Sequence, residues 1–234
     1  MTLQVCLLGS DGFVMASDTK YTTVAGVRSS FQGVKIFFNS DRGMAWCGCG
    51  DDVTHLTCQK IEKNVREKNV DFEDMKEFLL STAEEAHRET FTLPMTTARE
   101  RQQSTDRVIV AKSSQTENRI WRLNIFYTPD IYEVTTKCII GDDSNPCHFL
   151  TESYYPGPAV KTANLLVLAA SVVIFGGRHF SPFVGGLEMV VAKNGKIEKL
   201  EGERLADIES RVRGLDDLIK GHIIPDAKQT NGGN

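Results

Sequence analysis

The sequence predicts an α+β fold in which strands and helices form separate packed layers. The first observation is the order of the predicted elements, which is strands, two helices, strands, two helices, strands and a last helix. Such grouping is typical of α+β domains, whereas a doubly wound sheet alternates strands and helices. The second is that no repeat or linker divides the chain. We therefore expect one domain at residues 1–220 and a flexible, polar, Gly-rich tail at residues 221–234.

Hydrophobic periodicity defines the elements of the first half. Asp11-Gly12 between two apolar runs predicts a hairpin, and Asn39 to Arg42 predicts the turn of a second strand pair. Asp51 or Asp52 is the expected N-cap of a first helix, and a second helix begins near Asp71. The predicted strands here are 3–9, 12–18, 35–38 and 43–47. Pro94 should interrupt the second helix, and residues 98–105 should form a loop or a frayed helix end.

The second half is predicted in the same way. Asn194-Gly195 is a type I′ turn signal between a strand and a short return strand. Leu205, Ile208 and Val212 lie on one face of an amphipathic last helix. The predicted elements are strands 107–112, 119–127 and 131–140, helices 145–154 and 159–175, strand 187–192 with its return strand, and helix 204–220.

The composition is that of an ordinary globular protein. The 234 residues are 41% hydrophobic and 25% charged, with a net charge of −4, which favours neither nucleic acid nor a membrane as partner. The most apolar segment, residues 165–175, is shorter than the ~20 residues that a bilayer requires and predicts a buried helix. The start of the chain lacks the pattern of a signal peptide, so we expect a cytoplasmic protein.

The six cysteines do not form a recognisable metal or redox pattern. Cys47-Gly48-Cys49 is one residue tighter than a CxxC pair, and no second pair matches it. The scattered cysteines indicate a reducing compartment. We expect neither a metal nor a cofactor.

Thr2 directly precedes the first predicted strand. After removal of Met1, this residue would carry a hydroxyl nucleophile and a free α-amine together. The reference pKa of an α-amine is about 7.7–8.0, so part of it is neutral and basic at pH 7. Such a residue supplies both nucleophile and general base. A threonine at this position also occurs without any such role, so the residues that follow decide its meaning.

Three motifs follow Thr2 at informative spacings. Ala16-Ser17-Asp18 places an acid sixteen positions later, Lys35 precedes the pair Ile36-Phe37, and the turn from Cys47 to Asp51 enters a helix. With these motifs the chain resembles, over residues 2–220, the proteasome β-subunit family of N-terminal nucleophile hydrolases. It looks most like the short bacterial Anbu and HslV types. The resemblance implies a four-layer αββα sandwich of two packed antiparallel sheets.

The resemblance also implies roles for these residues. Thr2 is the nucleophile, and Lys35 lowers the pKa of its hydroxyl by placing a positive charge beside the developing alkoxide. Asp18 pairs with Lys35 and keeps it charged. The backbone N–H of Gly48 binds the oxyanion, and a glycine there lets the substrate backbone approach closely. Lys20 and Cys49 are the expected substrate-binding residues, with Lys20 at the mouth of the pocket.

A second cluster departs from the family pattern. The usual Gly-Ser-Gly-Ser stretch reads Gly141-Asp142-Asp143-Ser144, so Asp142 or Ser144 would support the Thr2 amine. The later Asp-x-x-Ser-Gly-Gly motif reads Ser181 to Gly186, with Ser181 at the position of the acid and Val184 at that of the serine. His179 beside this motif is more typical of a structural donor than of a catalytic base.

The leading interpretation is a threonine peptidase that cleaves unfolded protein or peptide. The resemblance implies a homo-oligomer, as a ring or an open helical stack, in which the first two helices form contacts between layers. It leaves open whether a regulatory ATPase or cap takes part. Two alternatives remain: a non-catalytic assembly subunit of the same fold, and an amidohydrolase that acts on a small molecule.

Overall fold

Hydrogen-bonded strands form two antiparallel five-stranded sheets in the computed structural model, which describes residues 2–23, 29–91, 106–125, 128–141, 145–181 and 184–223. The first sheet has the order β10-β1-β2-β11-β12 and the second the order β5-β6-β7-β8-β9, beside a small β3-β4 hairpin. The strands are β1 Leu3–Gly9, β2 Gly12–Ser17, β3 Lys20–Thr23, β4 Ser29–Gln32, β5 Ile36–Asn39, β6 Met44–Cys49, β7 Arg107–Ser113, β8 Asn118–Asn124, β9 Asp130–Val134, β10 Lys137–Gly141, β11 Glu188–Lys193 and β12 Lys196–Lys199.

Three apolar clusters separate four layers. One lies between the first sheet and the later helices, one between the two sheets, and one between the second sheet and the first two helices. The helices are α1 Asp52–Glu67, α2 Met75–Phe91, α3 His148–Tyr154, α4 Leu166–Phe175 and α5 Gly202–Ile223. The predicted α+β class with two packed antiparallel sheets is therefore confirmed.

The central strand β1 is buried on both faces. Leu3, Val5 and Leu7 point towards the helices, while Cys6 and Leu8 point towards the second sheet. A strand covered on both sides reads as a continuous apolar run, and this explains why β1 shows no alternation in sequence. Gln4 interrupts that run, and its side chain is fully buried.

The pairing of β1 with β2 shows that the turn of the first hairpin lies one residue earlier than predicted. The two-residue turn is Ser10-Asp11, because Gly9 pairs with Gly12 across the ladder. Gly12 opens β2 at φ 154°, and a Cβ there would lie 1.9 Å from the carbonyl oxygen of Ala192. Asn194 and Gly195 both have positive φ, 49° and 80°, so the predicted type I′ turn is confirmed.

The predicted strand 131–140 is wrong as one element. The structure contains β9 in the second sheet and β10 in the first, separated by Thr135 and Thr136. The chain changes sheets at this point, and a continuous strand-like pattern does not reveal a change of partner strand. Strand β8 also ends at Asn124 instead of continuing to 127.

Several helix boundaries also differ from the prediction. Helix α2 begins at Met75 after a turn, and α4 begins at Leu166 after the short 3₁₀ helix Thr162–Asn164. Asp51 is the N-cap of α1, but its side chain makes no capping bond. Asp106, which directly precedes β7, binds the start of this helix, because its Oδ1 accepts from Asp51 N at 2.6 Å and from Thr54 Oγ1 at 2.7 Å.

The apolar helix α4 belongs to a longer helical run. The helical run Thr162–Phe180 has 19 residues and is, by length and composition, sufficient to cross a membrane, which corrects the expectation drawn from residues 165–175 alone. Ala169, Ala170 and Val172 are nevertheless buried against the first sheet in the core. Core helices meet the same criteria, so this one is weak evidence for a membrane span.

Other expectations fall on residues that the structure does not cover. Pro94, the loop at 98–105, Asp142, Ser144 and the tail beyond Ile223 lie outside the described residues. All six cysteines are buried, and none of them forms a disulfide within the described residues. Within the described residues, no group of three or more His, Cys, Asp or Glu side chains is placed to hold a metal ion.

Candidate active site

Thr2, Asp18 and Lys35 meet at one end of the first sheet. The β1-β2 hairpin pairs Gln4 with Ser17, so the residue before β1 and the residue after β2 emerge at the same end. Lys35 directly precedes β5 and reaches this end from the second sheet. The spacing between Thr2 and Asp18 in the sequence is thus a consequence of hairpin register.

The ammonium of Lys35 is fully engaged. Its Nζ donates to Thr2 Oγ1 at 2.9 Å, to Asp18 Oδ2 at 2.8 Å and to the carbonyl oxygen of Lys20 at 2.6 Å. An ammonium has three donors, and these contacts use all of them. Tyr21 adds its ring at 4.9 Å from the same nitrogen. Lys35 is therefore held at a defined place beside the Thr2 hydroxyl.

Asp18 is buried and accepts hydrogen bonds on both oxygens. Its Oδ1 accepts from Leu3 N at 2.9 Å, and its Oδ2 accepts from Lys20 N at 3.2 Å as well as from Lys35. Burial raises the pKa of the Asp18 carboxyl, and the Lys35 ammonium and the two N–H groups oppose that rise. The carboxylate thereby also fixes the peptide that follows Thr2 and the peptide that precedes Lys20.

Lys35 is 3% exposed. Burial lowers the pKa of its ammonium, and the Asp18 carboxylate opposes this effect. Each ion would be expensive to bury alone, so the two are stable as ions only as a pair with these hydrogen bonds. The geometry delivers a positive charge to the hydroxyl of Thr2, which is itself partly exposed.

Gly48 lies against the strand that begins beside Thr2. Its carbonyl oxygen accepts from Gln4 Nε2 at 3.1 Å. Ser113 N donates to Gly43 O, and the alternation of an antiparallel ladder then makes Gly48 and Val108 a non-hydrogen-bonded pair. The backbone polar groups of Gly48 therefore project away from β7, on the side where Gln4 lies.

The structure gives a reason of its own for the glycine at position 48. A Cβ there would lie 2.5 Å from Thr54 Cγ2 and 3.1 Å from Cys58 Sγ, both on α1. The close packing of β6 against α1 thus requires a residue without a side chain. The sequence predicts another reason for a glycine here, the close approach of a substrate backbone. That reason stays a prediction.

The other predicted residues lie at different distances from this centre. Lys20 contributes backbone groups to Asp18 and Lys35, while Cys49 is the buried last residue of β6. Ser181 is buried after the π-helical turn Gly176–Phe180, and its N donates to Gly176 O at 2.9 Å. Gly185, further along the chain, lies beside the centre, because Thr19 N donates to its carbonyl oxygen at 3.0 Å.

His179 occupies a structural contact. Its Nε2 lies 3.1 Å from Asp216 Oδ1 on α5, and Arg178 Nη1 donates to Asp216 Oδ2 at 2.6 Å. The pair of bases joins the turn before Ser181 to the last helix. This agrees with the interpretation of His179 as a structural group.

Sequence reasoning missed two buried polar residues, Gln4 and Glu188. Each is a polar residue in or at the start of an otherwise apolar strand, and this pattern was the available signal. Gln4 Oε1 is the one buried side-chain polar atom in the described part of the chain that has no hydrogen-bond partner. Glu188 accepts from the backbone of Lys35 and Ile36.

Comparisons with solved structures show the same fold in bacterial proteins. The Anbu (Gly-1) mutant from Hyphomicrobium sp. strain MC1 matches with a TM-score of 0.73 and 12% identity over 95% of this chain and 96% of its own. Anbu (ancestral β-subunit) from Yersinia bercovieri gives 0.70 and 12% over 94% and 96%. The helical assembly of the Anbu complex from Pseudomonas aeruginosa gives 0.69 and 15% over 93% and 95%.

The similarity at such identities is one of fold, and at this level the predicted likeness to Anbu is confirmed. No protein-family model matches the sequence, and no curated protein matches it either.

Proposed function

We propose that this protein is a threonine-type hydrolase of peptide bonds, with Thr2 as the nucleophile after removal of Met1. The observation that carries the proposal is the buried ammonium of Lys35, which bridges the Thr2 hydroxyl and the Asp18 carboxylate. A fixed positive charge beside a hydroxyl lowers the pKa of that hydroxyl. The two-sheet sandwich is, in this proposal, an N-terminal nucleophile hydrolase fold.

The chemistry follows from these positions. Thr2 Oγ1 attacks the peptide carbonyl while the free α-amine of Thr2 accepts the hydroxyl proton and then passes it to the leaving amine. The C–N bond breaks and an ester on Thr2 remains. Water attacks that ester, the same amine again moves the proton, and the acid product leaves. Lys35 stabilises the alkoxide, and Gly48 N–H stabilises the carbonyl oxyanion.

The proposal includes self-assembly. The fold similarity to a helical Anbu assembly supports a homo-oligomer of stacked subunits, in which α1 and α2 form contacts between layers. Lys60 on α1 pairs with Glu85 and Glu89 on α2, so the two helices present one common outer surface. Such an assembly would admit unfolded protein or peptide in the cytoplasm, with or without a regulatory ATPase or cap.

A non-catalytic assembly subunit is the second candidate, and one observation favours it. Val184 stands where the family has a serine, and its apolar side chain is 4% exposed in the core against the later helices. It offers no hydroxyl to orient the Thr2 amine. The outcome therefore depends on whether Lys35 and Asp18 suffice to activate Thr2.

The decisive experiment treats the purified protein with an epoxyketone, an electrophile selective for N-terminal threonine, and measures intact mass. We expect a chain that is shorter by one methionine and carries a single adduct on Thr2. Thr2→Ala should carry none while keeping fold and assembly. A retained Met1 in active protein would exclude this mechanism, and cleavage of small amides but not peptides would favour the amidohydrolase.

A further inference from the structure

Glu188 is a buried carboxylate at the junction of the two sheets. It is the first residue of β11, it pairs with Ser17 across the ladder, and it is 4% exposed. The side chains of Val190 and Ala192 on the same strand point into the cluster between the sheets. By alternation, Glu188 points towards the second sheet as well.

The Glu188 carboxylate accepts hydrogen bonds from the backbone at Lys35. Its Oε2 accepts from Lys35 N at 2.8 Å and from Ile36 N at 3.1 Å. Its Oε1 lies 3.3 Å from Lys199 Nζ on β12. Two consecutive N–H groups on one oxygen fix the peptide planes on both sides of the Lys35 Cα, so the first sheet determines where the chain enters β5.

The position of that entry determines the reach of the Lys35 side chain. Its Nζ must touch Thr2 Oγ1, Asp18 Oδ2 and Lys20 O at once. Thr2 and Asp18 belong to the first sheet, whereas Lys35 leads into the second. A shift of one sheet past the other would therefore separate the ammonium from the hydroxyl, unless a contact ties Lys35 to the first sheet.

We propose that Glu188 is a positioning residue for the reaction, which holds the Lys35 backbone on the first sheet so that the ammonium reaches the Thr2 hydroxyl. This inference rests on the proposed function of Thr2 and Lys35. Glu188 touches neither substrate nor reacting atoms and acts through Lys35 alone. Its effect should therefore appear in kcat and in the reactivity of Thr2, and not in KM.

The test compares Glu188→Ala, Glu188→Gln and the matched control Glu198→Gln. Glu198 lies on β12, where it pairs with Arg204 and is 52% exposed. We expect Glu188→Ala to lower kcat and the epoxyketone modification rate by about 100-fold, the effect of a misplacement of about 1 Å, with KM unchanged. Glu188→Gln keeps an acceptor oxygen and should recover most of that loss. Glu198→Gln should match the wild type.

The outcomes separate this inference from the proposed function. If Thr2→Ala remains active, or if Lys35→Met keeps wild-type kcat/KM, the proposed function fails. If Thr2→Ala is inactive and Lys35→Met is impaired, but Glu188→Gln and a folded Glu188→Ala keep wild-type kcat, the positioning role fails alone. If Glu188→Ala does not fold, Glu188→Asp decides, because it keeps the charge but draws the carboxylate back by one methylene from Lys35 N and Ile36 N. A loss of kcat with an unchanged melting temperature then supports positioning, and an unchanged kcat overturns it.

Discussion

Asp18 and Asp216 are both buried carboxylates that pair with basic side chains, yet the pairs differ in the exposure of the base. At Asp18 the partner Lys35 is 3% exposed, whereas at Asp216 the partners Arg178 and His179 are 46% and 33% exposed. The Lys35 and Arg178 contacts have similar lengths, 2.8 and 2.6 Å. Distance alone would rank these ion pairs together, but solvent access separates them.

The difference indicates what each pair is for. Water and salt screen an exposed pair, so it contributes little and tolerates change. A pair with both members buried depends on each partner, because the loss of either leaves an uncompensated charge. The Arg178 pair therefore fastens a turn to α5, and the Lys35 pair places a charge.

The largest effect should come from breaking the buried pair. Lys35→Met keeps the length of the side chain but removes its charge. We expect kcat/KM on fluorogenic peptides to fall by about 10²–10³-fold, the loss seen when one preorganised electrostatic group is removed. The free energy of unfolding should fall by about 3–5 kcal/mol, because Asp18 is left as an unpaired buried charge.

Lys20→Met is the control for that experiment. Lys20 contributes its backbone N and O to the site, and the substitution leaves both in place. We expect a change in peptide preference and little change in rate or stability. An inactive Lys20→Met beside an active Lys35→Met would overturn the assignment of the charge to Lys35.

The second prediction concerns pH. In Lys35→Met the Asp18 carboxyl loses the ammonium that opposes the rise of its pKa, so its pKa in the folded state should rise further. A carboxyl whose folded pKa exceeds its unfolded pKa stabilises the fold below the unfolded value, about 3.9. That stability is lost as pH rises through the folded pKa. The gap in melting temperature between variant and wild type should therefore narrow from pH 7 to pH 4, and a constant gap would contradict the prediction.

The third prediction concerns Gln4, a buried polar residue without a charge. Gln4→Leu removes the contact with Gly48 O and also removes the unpaired Oε1. Loss of the unpaired buried Oε1 removes a desolvation penalty, which offsets the cost of leaving Gly48 O without its donor. We expect an unchanged or higher melting temperature with activity about tenfold lower, because the Gly48 peptide loses a contact that orients it. A parallel fall of both quantities would indicate a purely structural role.

The smallest effect should come from breaking the exposed pair. Arg178→Gln should lower the free energy of unfolding by ~0–1 kcal/mol, and 1 M salt should abolish the difference from wild type. Thermal melts at low and high salt would measure it. A loss as large as that of Lys35→Met would show that solvent exposure does not distinguish the two pairs.

The centre of the candidate site could be predicted from the sequence because the register of a hairpin relates the position of a residue in the sequence to its place in the sheet. Thr2 and Asp18 flank two strands of known period, so a tight turn brings them together. Gln4 and Glu188 could be recognised as polar residues in apolar strands, but their partners belong to the other sheet. Contacts between sheets depend on packing, which periodicity along one strand does not encode.

The same limit explains the errors in the elements. The break between β9 and β10 is a change of partner strand, and the late start of α4 follows from a short 3₁₀ turn. Asp106, which is distant in sequence and directly precedes β7, binds the backbone N–H of Asp51 at the start of α1. At the change of sheet and at the start of α1, a partner that is distant in sequence decides the boundary, whereas the local signals predicted the correct type of element.

The buried cysteines have a practical consequence for labelling chemistry. Burial raises the pKa of Cys58 and Cys138 to about 12 and that of Cys147 to about 11. A thiol must be both accessible and ionised to be alkylated, so the folded chain should be inert to maleimides. Unfolding of the core would expose six thiols to the reagent, whereas the folded protein gives almost no signal. The rate at which the thiols of the native protein are alkylated therefore reports the rate of global unfolding, and this measurement needs no enzymatic activity.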